Sequence, residues 1–391
     1  MRKTAGLMLL VLTLGGCAES LEFADWVIPV PEGVPIVEYP FVPTEQRTER
    51  IELVEDLVLG MDGNDPNQAF YGARAVDLDA DGNLWVLDAG NHRIQVFSAE
   101  GDFVRSLGRE GQGPGELEQP SQLTIVADTV VVRAARRRLS LFDLDGEHLR
   151  DVQITDVTGS LLNFMPRENG TFIASRTEFD LSGETIGSGG SVPGTFMVSE
   201  FSLEAQELLT YIELPREDLM ILSADAKRPA AVARPSPSFG ASRAGDLYVT
   251  TAEEYQVLAL DPDAEPKWAL RVAYVPEGLS EAIIERAIES AQRRRPETTR
   301  SDLIWPDRLP ALSHIAVDGH GHVYVYPYFA RGEELEDRPV DVYSPAGELL
   351  FSGMIQDRRW QRGHGDFVYA AGSDRVSGET LVWRWLLDEP F

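Results

Sequence analysis

Residues 77–97 read "DLDADGNLWVLDAGNHRIQVF", and two incompatible readings meet in them. Asp77, Asp79 and Asp81 occupy every second position ahead of Gly82, which is how the ligand run of an EF-hand begins. With Asp77 at position one, Gly82 falls at six and Asp88 at twelve, where that loop normally carries a bidentate Glu. An EF-hand loop lies between two helices, however. The flanks here, "RAVDL" and "NLWVLD", carry β-branched and aromatic residues without helical periodicity. Asp-Gly also supplies the positive φ that a tight hairpin needs. The stretch therefore predicts two strands joined by a turn, with calcium binding as the lesser alternative.

Self-similarity along the chain supports the hairpin. Six segments align on their turns: "DGNLWVLD" at 81, "ADTVVVRA" at 127, "ENGTFIAS" at 168, "AGDLYVTT" at 244, "GHGHVYVY" at 319 and "HGDFVYAA" at 364. Most are followed by a second strand, another turn and a third strand, as in "RIQVFSAEGDFVRSLG" and "PVDVYSPAGELLFSGMI". The unit is four antiparallel strands, the content of one propeller blade. Insertions at "LSGETIGSGGSVPG" and at residues 277–310 lengthen two of the intervals. The sixth unit ends at "ETLVWRWLLDEPF" one strand short, and the strand predicted near residues 50–59 supplies it from the other terminus. The expectation is an all-β, six-bladed β-propeller over residues 48–391, its last blade closed by an N-terminal strand so that no long sheet edge is left open.

"NHRIQVF", with "LGREGQGPGELEQP" behind it, resembles an NHL repeat, and the chain is similar to bacterial lipoproteins of the 6-bladed β-propeller type. That resemblance covers roughly residues 48–391 and implies a scaffold shared by binding modules, sensor domains, lactonases and lyases, so it does not choose among them. The glycine-rich run 108–117 has no Gly-Lys-Ser or Gly-Lys-Thr and no following helix, which makes it a connection between blades and not a phosphate cradle.

The N-terminus predicts location. Arg2 and Lys3, an apolar run from Leu7 to Leu14 and then Leu14-Gly15-Gly16-Cys17 form a secretory signal over residues 1–16 that ends in a sequence resembling a lipobox. The resemblance implies acylation of Cys17, the sole cysteine, and so an anchor in the membrane of a bacterial cell envelope. Ala18 in place of Asp resembles the sorting pattern for the outer membrane, with the body facing the periplasm or the cell surface. Residues 17–47, with Pro29, Pro31, Pro35, Pro40 and Pro43, predict an extended tether. The stretch around Phe23 to Ile28 also permits a strap docked on the body. The net charge of −29, or −31 without Arg2 and Lys3, repels phosphate backbones and argues against nucleic acid as a partner. A monomer is expected.

Candidate site residues are few. Arg74, Gln122, Asn163 and His314 occupy corresponding places at the start of inner strands and are expected to line a polar pocket at the channel mouth. His320 and His322 lie across a turn that Gly321 bends, which favours polar turn residues over zinc or iron ligands. No Gly-x-Ser-x-Gly elbow sits between a strand and a helix, and no catalytic residue or cofactor is assigned. One helix is predicted within the 277–310 insertion, capped by Ser280, with Ile283, Ile284, Ala287, Ile288 and Ala291 on one face. The functional expectation is a membrane-anchored extracytoplasmic propeller that binds a protein partner or a small ligand. The alternative is a metal-assisted lactonase or lyase acting at the central channel.

Overall fold

A computed structural model describes residues 28–391 except 62, 136, 156, 180–190, 222–229, 232–235, 275–277, 294, 306–307, 329–336, 357–359, 375–376 and 390. The expected signal segment and Cys17 lie outside the described residues. Blade 1 consists of Ala73–Leu78, Leu84–Asp88, Arg93–Phe97 and Phe103–Leu107, paired antiparallel in that order from the axis outward. Blades 2 to 5 repeat the order, with inner strands Gln122–Val126, Leu162–Pro166, Ser238–Ala241 and Leu312–Val317. Blade 6 contains Arg362–His364, Phe367–Ser373 and Thr380–Asp388 and is completed by Arg50–Leu59, which runs antiparallel to Thr380–Asp388. The ring is thus closed by a strand from the far end of the chain, as the incomplete sixth repeat predicts.

The core is divided among the blades. Six apolar clusters each lie between two neighbouring sheets: Leu87, Val96 and Val130 between blades 1 and 2, for example, and Tyr324, Val342, Val368 and Trp383 between blades 5 and 6. A sheet in such a ring has a neighbour on both faces, so its middle strands are buried on both sides. Leu84–Asp88, Gln256–Leu260 and Val323–Pro327 are accordingly buried at every position, whereas the outer strand Leu349–Gln356 alternates. Blades 5 and 6 meet closely at the axis, where a methyl group on Gly363 would come within 2.6 Å of the Asp318 backbone. Any larger residue at 363 would push the two inner strands apart.

The proline-rich segment departs from the tether expectation from Ile28 onward. Ile28 is buried between blades 3 and 4, and its carbonyl accepts a hydrogen bond from Gln256 Nε2 at 3.0 Å. Ile36–Pro40 then runs parallel to Pro266–Ala273 as a fifth strand on blade 4. Arg47 is fully buried against Asp341 of blade 5, with Nη1 2.7 Å from Oδ1 and Nη2 3.1 Å from Oδ2. Proline is tolerated here because an added edge strand needs hydrogen bonds on one side only. The strap reading therefore holds at Ile28, and residues 23–27 lie outside the described residues.

The helix is Glu281–Gln292, with Ser280 Oγ accepting from Ile283 N at 3.3 Å. Of its predicted apolar face Ile284 alone is fully buried, and Ile283, Ala287, Ile288 and Ala291 are half-buried.

Two carboxylates tie blade 3 to acid stability. Burial alone would raise Glu200, but hydrogen bonds from Thr171 Oγ1 and Asn169 Nδ2, together with the Arg167 charge, hold it below its ordinary 4.5. Burial is likewise outweighed at Glu207 by hydrogen bonds from Ser199 and Thr210 and by Arg176. Carboxyl pKa values lowered on folding add stability at neutral pH that disappears as the pH falls through the folded values. The urea midpoint should therefore drop as pH is lowered past about 4.5, and Glu200→Gln should flatten part of that slope. An unchanged slope in E200Q, measured by fluorescence-monitored unfolding across pH 3 to 7, would remove Glu200 from the account.

Candidate functional site

Because every blade repeats one strand order, all inner strands run the same way along the axis and begin at one mouth of the channel. They enclose a cavity of about 690 Å³. Arg74, Gln122 and Asn163, from three successive blades, line it where the strands begin, with Ser238 and Gln361 beside them. Local irregularity aims two of these side chains. Pairing slips between Ala73 and Ala75 and between Leu162 and Met165, so Arg74 and Asn163 sit in β-bulges. A bulge redirects its side chain out of the alternating pattern. Asn163 does so with a φ of 54°, a left-handed conformation that asparagine accepts more readily than most residues.

His314 does not join them. The slip in blade 5 falls between Leu312 and His314, so the bulged residue is Ser313. His314 pairs in register with Tyr326, and the two rings stack at 4.2 Å with 6° between planes. Its Nδ1 lies 2.8 Å from Ser313 Oγ, and it is not among the cavity-lining residues. The polar set at this mouth is therefore Arg74, Gln122, Asn163, Ser238 and Gln361.

Arg362 escapes a sequence reading because its strand is only three residues long. It lines the cavity, donates Nη1 to Gln361 O at 3.2 Å, and reaches across to blade 3 to donate Nη2 to Phe164 O. Its Nε is 3.5 Å from Asp77 Oδ2 on blade 1 and has no hydrogen-bond partner. Arg243 lines the opposite mouth. Burial first, and then the Arg243 charge, hold the His364 imidazole of blade 6 below its ordinary pKa.

The aspartates of the opening stretch point to three different places. Asp77 accepts Thr124 Oγ1 at 2.8 Å and Ile125 N at 3.0 Å and so links blades 1 and 2. Asp79 caps the hairpin through Asp81 N, Asn83 N, Asn83 Nδ2 and Trp85 Nε1. Asp88 lies at the other end of its strand and holds Tyr71 N, Asn91 and Arg93. They therefore form no ligand shell of the EF-hand type. Blade 5 repeats the Asp79 device: Asp318 accepts His320 N at 2.9 Å, His322 N at 2.8 Å and His322 Nδ1 at 2.8 Å, with His322 standing where blade 1 has Asn83. Glu389 of the C-terminal segment joins this pair, so that Asp318, His322 and Glu389 bring ligand-type atoms within 4.8 Å of one another. Burial, and then the Asp318 charge, push the Glu389 carboxyl above its ordinary value, against a hydrogen bond donated by Tyr324.

A family model described as a 6-bladed beta-propeller matches residues 77–186. The chain is a six-bladed β-propeller. Among solved structures the propeller is similar to a putative exported protein from Bacteroides fragilis, at 10% identity and a TM-score of 0.51, over 90% of this chain and 99% of that one. It is similar also to a member of the DUF4221 family from Bacteroides vulgatus, at 12% identity and a TM-score of 0.53, over 86% and 98% of the two chains. A gluconolactonase from Xanthomonas campestris matches at 13% identity and a TM-score of 0.42, over 81% and 86%. At these identities the likeness shows the fold alone. Among curated proteins none matches the sequence. No helix among the described residues is long and apolar enough to cross a membrane.

Proposed function

We propose that this propeller is a lipid-anchored, extracytoplasmic binding protein that takes a small polar ligand into its central channel. The observation that carries the reading is the convergence of Arg74, Gln122 and Asn163 from three separate blades on one cavity of about 690 Å³. That volume is the size of an ordinary small-molecule site. Rigid blades fix the lining with little cost of ordering on binding. The lipobox-like Leu14-Gly15-Gly16-Cys17 supports the anchor. Between the two occupants open to the sequence, a small ligand is favoured over a protein because the polar groups line a single cavity.

Native mass spectrometry of the full mature chain, equilibrated with a small-molecule extract of the source cells, tests the reading. A bound species should appear with the parent protein and be lost in Gln122→Trp, whose indole would fill the mouth. Retention of the same species by both proteins, or of none by either, would remove the channel from the account. The rival lactonase or lyase reading draws on Asp318, His322 and Glu389. Metal analysis of protein purified without chelator separates the two, since stoichiometric calcium or zinc lost in Glu389→Gln would favour the rival.

A further inference from the structure

The channel is far less acidic than the protein as a whole. The chain carries −29 overall, yet three arginines, Arg74, Arg243 and Arg362, line the cavity. Three carboxylates line it as well, Glu168, Asp246 and Asp318, but two of them are already engaged. Asp246 accepts Lys267 Nζ at 2.9 Å, and Asp318 holds His322 and two backbone amides. Glu168 stands exposed at the rim opposite Arg74. Asp77 forms an ion pair with Arg362 at 3.5 Å, but its hydrogen bonds go to Thr124 and to the amides of Ile125 and Leu78, so the Arg362 Nε donor stays open.

The arginines, by contrast, have donors to spare. Arg74 is exposed, and its guanidinium has no hydrogen bond or ion pair among the described residues. A guanidinium carries five N–H groups. Arg362 spends two of them, on Gln361 O and Phe164 O, and its buried Nε has no acceptor. Buried donors without acceptors are costly, and an added acceptor recovers that cost. At the mouth where the strands begin, the lining offers Arg74 and the neutral groups of Gln122, Asn163, Ser238 and Gln361, with no carboxylate among them.

On the reading that the channel is the binding site, we infer that its ligand carries an oxyanion, a carboxylate or a phosphate ester, and that Arg74 holds it at the mouth above Arg362. The planar fork of arginine matches both groups bidentately, and the amides of Gln122 and Asn163 suit hydroxyl or carbonyl groups on the rest of the molecule. The acidic exterior repels such ligands at long range, so capture relies on the local arginine field and weakens with salt.

Isothermal titration calorimetry of the full mature chain with citrate, glucose 6-phosphate, inorganic phosphate and neutral glucose tests this. Citrate or glucose 6-phosphate should bind one to one, glucose should not, and Arg74→Ala should weaken binding about tenfold or more, as loss of a charge-assisted hydrogen bond does. Phosphate binding as tightly as glucose 6-phosphate would assign the recognition to the oxyanion alone, in support of the inference. Arg74→Lys should recover part of the affinity, since it restores the charge without the fork. Binding of glucose alone, lost in Gln122→Trp, would overturn the oxyanion while leaving the channel as the site. Anion binding indifferent to both Arg74→Ala and Gln122→Trp would overturn the two together, as would failure of every probe to bind.

Discussion

Asp341→Ala should destabilise the protein by about 3–5 kcal/mol, the range for breaking a buried ion pair by removing one partner. Asp341 joins three parts of the chain: its Oδ1 accepts Arg47 Nη1 at 2.7 Å and Ser352 Oγ at 2.5 Å, and its Oδ2 accepts Arg47 Nη2 at 3.1 Å and the Tyr255 hydroxyl. The Arg47 side chain is completely inaccessible to solvent, so alanine would leave a buried guanidinium with the carbonyls of Val42, Val340 and Gly353 but no counter-charge. The paired change Arg47→Met with Asp341→Leu removes both charges and should recover most of the loss. Urea unfolding measures both, and limited proteolysis should show the 28–47 segment cut sooner in the single variant. A loss below about 1 kcal/mol in D341A would mean that the pair contributes no more than an exposed salt bridge does.

Cys17→Ser should move essentially all of the protein from the membrane fraction to the soluble fraction and abolish labelling by radioactive palmitate. Several acyl chains on one residue give stable anchoring, and no helix among the described residues is long and apolar enough to cross a membrane. An unchanged distribution between fractions would refute the anchor. The docking of Ile28 adds a geometric consequence. Between Cys17 and Ile28 the chain reaches at most roughly 35–40 Å when fully extended. An anchored propeller would then stay within that distance of the membrane, with the boundary of blades 3 and 4 nearest to it. The 17–47 tether expected from proline content would have allowed a much longer reach.

The blades were legible in the sequence because a hairpin is a local object. Turn residues such as Asp81-Gly82 and apolar runs such as "LWVL" depend on neighbours a few positions away, and repetition makes the signal readable even where single copies are weak. The closing strand at Arg50–Leu59 followed from a count, since the sixth repeat lacked one element. Arg74, Gln122 and Asn163 were legible as a set because they recur at one position of the repeat.

His314 was placed by the same logic and does not line the cavity, since a bulge at Ser313 shifts its strand without any mark in the composition. A one-residue slip changes the face on which a side chain stands. Arg362 and Arg243 were missed because their direction depends on what blades 1, 3 and 6 present across the channel. The sequence by itself determined the repeat, the closure of the ring and the lipobox-like terminus, all of which rest on short-range patterns. Tertiary structure decided the seat of the N-terminal arm, the Arg47–Asp341 pair across 294 positions and the arginines that line the channel. Contacts at that separation are selected by the packing of whole sheets, and no local periodicity encodes them.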